Sequence, residues 1–308
     1  MTNKIVVLGA TGFLGQRIAF ELSKKYNIVC LIRNLDKAHN IYKDAANISF
    51  ILWDPTHNGN QIKDSLNGAF AVINLAGENI GNKRWSEKYK QIIYNSRIQT
   101  TRELVKLMNE VPTKPETLIS ASAIGFYGVD NENTVADEGS PAGNDYLARL
   151  CLDWETEARK SLTQRVVIIR IGVVLDKTEG AFIKLVRPFK FYLGGIIGHG
   201  QQWMPWIHIE DLIRLFIFAV ENSSLHGAIN ACSPNPVTNE EFSRTIAAVL
   251  HKPCIFKIPK FALKILFGEF ATYLIKGKKV VPQKTLEVGF IFDFTDIKLA
   301  VENLLSGK

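Results

Sequence analysis

Cysteine and histidine are scarce in this sequence of 308 residues, which contains four of the first and six of the second. Cys30, Cys151, Cys232 and Cys254 stand far apart and form no CxxC pair, which argues against a disulfide framework and against a zinc site. The histidines form no HxH or HExxH pattern, so no metal site is predicted. We expect buried, free thiols in a reducing compartment, the cytoplasm.

Long apolar runs are also missing. No stretch reaches the ~20 apolar residues that a membrane-spanning helix needs. The first apolar run, Lys4–Leu8, is short and ends in a glycine turn, which is typical of a strand rather than of a signal peptide. The sequence therefore predicts a protein without a membrane span.

Acidic residues are fewer than basic ones: the chain has 30 aspartates and glutamates and 37 lysines and arginines, which gives a net charge of +7. The basic residues are scattered, apart from small clusters such as Lys276–Lys279, and no nucleic-acid-binding module accompanies them. We therefore predict no nucleic-acid partner. The positive charge favours anionic small molecules instead, including phosphates.

The first half of the chain alternates short apolar segments with segments of helical spacing. The apolar segments lack a clean polar alternation, which is typical of parallel strands covered on both faces. Right-handed crossovers then favour an α/β fold, a doubly wound, mostly parallel sheet. The predicted strands are Lys4–Leu8, Asn27–Ile32, Ile48–Leu52, Ala69–Leu75, Glu116–Ser122 and Arg165–Ile171, and the predicted helices are Phe13–Lys25, Glu87–Glu110 and Asp145–Ser161.

The second half is less regular. It predicts a helix near Asp211–Glu221 and another that begins at Thr238 or Asn239, where glutamates occupy the first turn. From about Ile255 the chain becomes basic and amphipathic. We interpret this segment as a small C-terminal α/β lobe, a lid or a docking surface, whose apolar helix packs on its own domain.

One glycine turn lies between the first strand and the first helix. Gly9, Gly12 and Gly15 form a GxxGxxG pattern within KIVVLGATGFLGQRIAFEL. The first glycine allows the tight turn, the second lets the backbone approach a pyrophosphate, and the third lets helix and strand pack closely. Because the helix N-terminus adds free N–H groups, the segment predicts dinucleotide binding.

The residue after the second strand distinguishes NAD from NADP. A carboxylate at this point would accept from the ribose 2′-hydroxyl and repel a 2′-phosphate. The sequence instead reads CLIRN, with Arg33 in that place. A guanidinium pairs with phosphate bidentately, so the predicted cofactor is NADP(H).

Five further motifs accompany the glycine turn: VINLAGENI, SASAIGFYG, RIGVVL, WIHIEDL and VVPQKTLEVGF. The first four, together with the turn, resemble the extended short-chain dehydrogenase/reductase superfamily of the NAD-dependent epimerase/dehydratase type. More narrowly, VVPQKTLEVGF resembles the subgroup of epimerase family proteins, as do NLAGENIGNKRWSEKYKQIIYNSRIQTT, LCLDWE and GGIIGHGQQWMPWIHIEDL. The resemblance implies an NADP-binding Rossmann-like domain over residues 1–225, with parts of 175–250 forming a substrate lobe. It also implies a small C-terminal domain of unknown function over residues 254–303.

The resemblance implies cofactor contacts beyond the three glycines and Arg33. They extend to the neighbours of the turn, to the end of the second strand, to the NLAG segment, to NSRIQTT and to the segment near the nicotinamide. These residues are Thr11, Phe13, Leu14, Ile32, Leu75, Ala76, Gly77, Arg97 and Val174.

The superfamily's active site uses a Ser or Thr, a Tyr and a Lys, the last two spaced YxxxK. Ser122 matches the serine, with Ser120 as second choice, and Tyr146 or Tyr127 matches the tyrosine. The lysine is absent, since Leu150 stands four residues after Tyr146. Without that ammonium the tyrosine needs another partner to shift its pKa, and the sequence offers Glu78, His208, Arg149 and Arg170.

Two functions follow from these residues. The first is an NADP(H)-dependent oxidoreductase or epimerase that acts on a small polar, nucleotide-sugar-like metabolite. The alternative is a catalytically inactive NADP(H)-binding sensor, motivated by the missing lysine. The substrate and the oligomeric state stay open.

Overall fold

The computed structural model of the chain describes residues 4–129 and 134–306. The strands in chain order are β1 (Lys4–Leu8), β2 (Asn27–Ile32), β3 (Ile48–Leu52), β4 (Ala71–Asn74), β5 (Thr117–Ala123), β6 (Val135–Ala136), β7 (Arg165–Ile171), β8 (Val173–Leu175), β9 (Gly195–Ile197), β10 (Trp203–Met204), β11 (Trp206–His208), β12 (Gly227–Ala231), β13 (Val237–Thr238), β14 (Phe256–Ile258) and β15 (Lys279–Val280).

The helices follow the same numbering. They are α1 (Phe13–Ser23), α2 (Leu35–Ile41), α3 (Gly59–Leu66), α4 (Glu87–Asn95), α5 (Ile98–Glu110), α6 (Tyr146–Ala158), α7 (Gly180–Lys190), α8 (Ile209–Glu221), α9 (Asn239–Val249), α10 (Lys260–Phe267), α11 (Ala271–Ile275), α12 (Gln283–Glu287) and α13 (Ile297–Leu305), with 3-10 turns at Ile124–Tyr127 and Gly268–Phe270.

Seven parallel strands form the central sheet in the order β12-β7-β5-β4-β1-β2-β3. The chain winds outward from β1 to β3 and then returns to the other side of β1 as β4, so the carboxyl ends of β1 and β4 adjoin where the strand order reverses. This point is where open α/β sheets bind ligands. The fold confirms the predicted doubly wound architecture.

Two apolar layers cover the sheet. Along β1, Ile5 and Val7 pack toward α1 and α8, while Val6 and Leu8 pack toward α3 and α5. Successive strand residues point to opposite faces, and both faces are buried here. This is why the strand sequences carry no polar alternation.

The predicted helix over Glu87–Glu110 is wrong in one respect, because it is two helices, α4 and α5, interrupted at Ser96 and Arg97. Ser96 Oγ accepts a hydrogen bond from the Glu78 N–H at 2.9 Å, and the Arg97 guanidinium donates to the Glu78 carbonyl at 2.9 Å. The loop that follows β4 therefore binds both interrupting residues. The break directs Arg97 toward the carboxyl edge of the sheet.

The C-terminal lobe is tied to the sheet domain by a buried aspartate and a half-buried glutamate. The Asp211 carboxylate, at the start of α8, accepts from the N–H groups of Asp293 and Phe294, both at 2.9 Å. Glu138 accepts from the N–H groups of Asn230 and Lys284 at 2.8 and 3.1 Å. The lobe is thereby fastened to α8, to β12 and to the loop around residue 138.

The N-terminus of α9 carries a side-chain cap. Thr238 caps α9 by accepting a hydrogen bond from the Glu241 N–H, and it is one of the two predicted alternatives.

Within residues 4–129 and 134–306, no helix is long and apolar enough to cross a bilayer.

Candidate cofactor and active site

The glycine turn occupies the carboxyl end of β1, and its geometry accepts only glycine at two positions. Gly9 has φ +87, and a Cβ there would lie 2.7 Å from the carbonyl carbon of Leu75. A Cβ on Gly15 would lie 2.2 Å from the Gly9 carbonyl oxygen. Both distances are far below van der Waals contact, so the turn is built from direct backbone contacts. It joins β1, α1 and the end of β4.

The N-terminus of α1 faces this turn without a side-chain cap. Gly12 is the N-cap residue in an extended conformation, and the first turn of α1 holds no acidic residue. By contrast, Asn34 caps α2 and Asp145 caps α6 through side-chain oxygens. The first N–H groups of a helix need acceptors, and here a phosphate group fits that need. The residues present thus fit the diphosphate of a dinucleotide.

Thr11, Phe13 and Leu14 complete the turn. Thr11 is half-buried, and Leu14 packs against the core. The Phe13 ring contacts Gly180 at the start of α7 and lies 4.8 Å from the Arg17 guanidinium. The predicted residues of this segment are therefore together at the switch point.

The end of β2 presents one buried and one exposed residue. Ile32 is 2% exposed and belongs to the core, whereas the Arg33 side chain is exposed. Arg33 makes no hydrogen bond or ion pair with any residue that the structure describes. Its strand lies beside β1 in the sheet, so the unpaired guanidinium belongs to the same edge as the glycine turn.

Leu75, Ala76 and Gly77 follow β4 at this edge. The Leu75 N–H donates to the Leu8 carbonyl at 2.8 Å, which holds the segment against the end of β1. A Cβ on Gly77 would lie 3.0 Å from the Arg97 guanidinium carbon. Arg97 donates to backbone carbonyls and forms no ion pair with a described carboxylate, and burial lowers its pKa from the usual value. The site thus contains a partly desolvated cation beside the NLAG segment.

Val174 lies elsewhere, in the pair formed by β8 and β11, where it stands opposite Ile207. Its side chain is 9% exposed and packs with the core layer that contains α1. Nothing polar distinguishes the position.

Ser122 and Tyr127 belong to one buried network. The Ser122 hydroxyl donates to Glu155 Oε1 at 2.8 Å, and the Arg170 guanidinium pairs with both oxygens of Glu155 at 2.8 and 2.9 Å. Arg170 also donates to the Tyr127 hydroxyl at 2.9 Å, and that hydroxyl donates to Asn230 Oδ1 at 2.7 Å. Burial raises the pKa of Tyr127 above its usual value. Both predicted hydroxyls are therefore bonded within the core.

Tyr146 lies apart from that network, as the first residue of α6. Its hydroxyl donates to the Lys90 carbonyl at 2.9 Å, and its ring lies edge-on to Trp85 at 5.3 Å. Burial raises the pKa of Tyr146, while the charges of Lys90 and Arg97 oppose the shift. Among the three predicted catalytic residues, Tyr146 is the half-buried one.

The structure also locates the residues around the missing lysine. Leu150 is 3% exposed and packs with Trp85 and Trp154. Arg149, the neighbour considered as a substitute, is exposed. The cations that act on Tyr146 are Lys90 of α4 and Arg97 of the break between α4 and α5, so no local sequence spacing pointed to them.

Two of the alternative residues are fully buried. The His208 ring caps α8 by accepting from the Glu210 N–H, and burial lowers its pKa to about 4. Arg170 is bound to Glu155. Glu78 is half-buried and accepts from the Tyr89 hydroxyl at 3.3 Å. Glu155 and Asn230, which complete the buried network, were not predicted, because their partners lie far away in sequence.

A doubly wound parallel sheet with an uncapped glycine turn at its switch point defines a Rossmann-like dinucleotide-binding protein. The chain belongs to the NAD dependent epimerase/dehydratase family, whose model matches residues 5–232. A second model, described as a domain of unknown function (DUF1731), matches residues 258–304. The predicted resemblance is confirmed, and the chain is an epimerase-family NAD(P)-binding protein.

Similar proteins come from plants, bacteria and humans. The chloroplastic epimerase family protein SDR39U1 homolog of Arabidopsis thaliana is 40% identical over 305 residues, which cover 98% of this chain and 86% of that protein. Epimerase family protein YfhF of Bacillus subtilis is 36% identical over 307 residues, which cover 99% of this chain and 98% of that protein.

Solved structures agree with the fold. Human epimerase family protein SDR39U1, crystallised with NADPH, has a TM-score of 0.86 at 29% identity and covers 99% of this chain and 100% of its own. UDP-glucuronic acid 4-epimerase of Bacillus cereus, solved with UDP-glucuronic acid and NAD, has a TM-score of 0.76 at 19% identity. The match covers 98% of this chain and 97% of the epimerase chain. At that identity the second likeness shows the fold alone.

Proposed function

We propose that this protein binds NADP(H), with the diphosphate on the glycine turn and the 2′-phosphate on Arg33. One observation carries the proposal: an exposed guanidinium without a partner among the described residues follows β2, where an NAD site has a carboxylate. The NADPH in the human relative supports the same preference. The contacts around Leu75, Ala76, Gly77, Arg97 and Val174 are proposed on the family resemblance.

We assign proton transfer to Tyr146, because its side chain is half-buried and its hydroxyl bonds a backbone carbonyl, whereas those of Ser122 and Tyr127 are bonded to side chains in the core. The Tyr146 phenol carries its proton near neutral pH and can donate it, and the charges of Lys90 and Arg97, which oppose the rise of its pKa on burial, favour that donation. NADPH, when bound, supplies a hydride. An acid beside a hydride donor favours reduction of a carbonyl group, with the phenol proton passing to the substrate oxygen.

The reaction class is therefore an NADP(H)-dependent oxidoreductase or epimerase that acts on a small polar, nucleotide-sugar-like metabolite. Reduction uses the tyrosine as an acid, whereas an epimerase uses it first as a base and then as an acid. Lys90 and Arg97 oppose the rise of the Tyr146 pKa and replace in part the absent lysine. The role of Ser122, to hold the substrate oxygen, requires its hydroxyl to leave Glu155.

A second candidate is an NADP(H)-binding sensor without catalysis. It is favoured by a specific observation: apolar Leu150 fills the place of the lysine, and the Ser122 hydroxyl is bound to a carboxylate. We also propose a reducing compartment such as the cytoplasm, because Cys30, Cys151 and Cys232 are buried, free thiols.

One experiment separates the two functions. NADPH oxidation is followed with a panel of carbonyl compounds, sugars and nucleotide sugars, alongside calorimetric titration of NADPH. Turnover that is lost in Tyr146→Phe but kept in Tyr94→Phe, whose hydroxyl bonds Asp153 at the surface, supports the reductase. Binding without turnover across the panel supports the sensor. Failure to bind either nicotinamide nucleotide contradicts both.

A further inference from the structure

Basic residues are scattered along this chain, but their excess over acidic residues is concentrated in two segments, residues 180–194 and 251–282. Together they contain ten lysines and arginines and one acidic residue, Glu269. The other 261 residues contain 27 basic and 29 acidic residues. The whole net charge of +7 therefore comes from these segments, which we call the basic apolar face.

The two segments form one surface. Strand β14 of the second pairs with β9, which directly follows the first. Leu185 of α7 packs in the same cluster as Leu263 and Phe267 of α10. The Lys252 ammonium lies 3.7 Å from the centre of the Tyr192 ring, which bridges the segments again.

Large apolar side chains are exposed on this surface. It holds eight of the eighteen exposed large apolar residues of the described chain, with exposed fractions between 46% and 75%. On α10, Leu263 and Phe267 point inward, and Phe261 and Ile265 lie one turn apart on the opposite side at 67% and 68%. The eight are Phe191, Tyr192, Leu193, Ile255, Phe256, Phe261, Ile265 and Leu266.

The lysines between these residues are not neutralised within the described chain. Lys257, Lys260 and Lys264 form no ion pair with a described residue. Glu269 is engaged by Lys90, at 2.8 Å. The face therefore combines exposed apolar side chains with unpaired ammonium groups, and large exposed apolar patches mark interaction sites on protein surfaces.

We propose that the basic apolar face docks on an anionic lipid surface. Aromatic and aliphatic side chains enter the boundary between headgroups and acyl chains, while interleaved lysines bind lipid phosphates. Charge complementarity selects this occupant, because the face is almost purely cationic and the rest of the chain carries a small negative excess. A second copy of the chain would bring two cationic faces together.

The test is co-sedimentation of the full chain with vesicles of equal parts phosphatidylglycerol and phosphatidylcholine, and with vesicles of phosphatidylcholine alone. We expect binding to the anionic vesicles only, weakened at least about tenfold by high salt, which screens charge attraction. The double variant Phe261→Ser/Ile265→Ser is expected to bind at least roughly tenfold more weakly. Leu162→Ser is the matched control, since Leu162 is also 67% exposed but lies outside the face. NADPH titration and thermal melting check that each variant is folded.

Three results would overturn the proposal. The first is equal binding to both kinds of vesicle, or binding to neither. The second is unchanged vesicle binding by the double variant. The third is a dimer in sedimentation velocity that dissociates in the double variant, which would make a second copy the occupant.

Discussion

Replacing Arg33 by alanine tests the cofactor proposal most directly. The side chain is exposed and bonds to no described residue, so its removal leaves the fold intact. What the variant loses is the guanidinium that we place on the 2′-phosphate of NADPH. NADH lacks that phosphate, and its affinity is expected to stay unchanged.

The magnitude follows from the kind of contact. Hydrogen bonds to charged groups contribute about 1.5–3 kcal/mol, and an exposed pair is screened by solvent, so about 1–2 kcal/mol is appropriate here. Since about 1.4 kcal/mol corresponds to a tenfold change, the dissociation constant of NADPH should rise about 5–30-fold. Raising the salt concentration should shrink the difference between wild type and variant.

Isothermal titration calorimetry of NADPH and NADH against both proteins gives the four dissociation constants needed. Arg244→Ala is the control, because it removes the same charge from an exposed side chain on α9. The reasoning is refuted if wild type binds NADH as tightly as NADPH, or if Arg33→Ala leaves the ratio of the two affinities unchanged.

Three further variants test the structure. Gly15→Ala places a methyl 2.2 Å from a backbone carbonyl oxygen and should lower the free energy of unfolding by about 1–3 kcal/mol in urea. Glu155→Gln leaves the buried Arg170 without its carboxylate and should cost about 3–5 kcal/mol in the same assay. His208→Asn tests the dependence of stability on pH. Between pH 6.5 and about 4 the unfolded chain binds a proton at His208 and the native protein does not, so the free energy of unfolding of wild type falls as the pH falls through this window. The variant should lose less stability over the same window.

Each variant has its control or its contradicting result. Gly59→Ala is the control and should leave the free energy of unfolding nearly unchanged, because a Cβ there meets nothing within 4 Å. If Gly15→Ala lost no more stability than Gly59→Ala, the close contact at Gly15 would be contradicted. Glu240→Gln breaks an exposed pair and should change the free energy of unfolding by less than about 1 kcal/mol. Identical pH profiles for His208→Asn and wild type would show that this ring is not the titrating group.

The sheet and the glycine turn were predictable because their causes are local. Strands buried on both faces must be apolar throughout, and a turn at φ +87 with a backbone carbon 2.7 Å from the place of a Cβ accepts glycine alone. Strand β12 was missed, since its sequence GAINA has small residues and no apolar run. Its position comes from pairing with β7.

The surroundings of the candidate catalytic residues were harder to predict, because they are assembled from distant segments. Ser122 meets Glu155 from α6 and, through it, Arg170 from β7, and none of these contacts leaves a trace in local spacing. The interruption between α4 and α5 depends on Glu78, 18 and 19 residues earlier than its partners. A pattern of helical spacing cannot report a break that a loop elsewhere imposes.

The fastening of the C-terminal lobe bears on how the chain matures during translation. A nascent chain leaves the ribosome N-terminus first, so the central sheet is complete once β12 has emerged. At that moment the carboxylates of Asp211 and Glu138 still lack the N–H groups of Lys284, Asp293 and Phe294, which are synthesised last. Until those residues arrive, Asp211 has Arg214 as its partner and Glu138 has the Asn230 N–H, so the lobe docks last onto carboxylates that still have free lone pairs to offer.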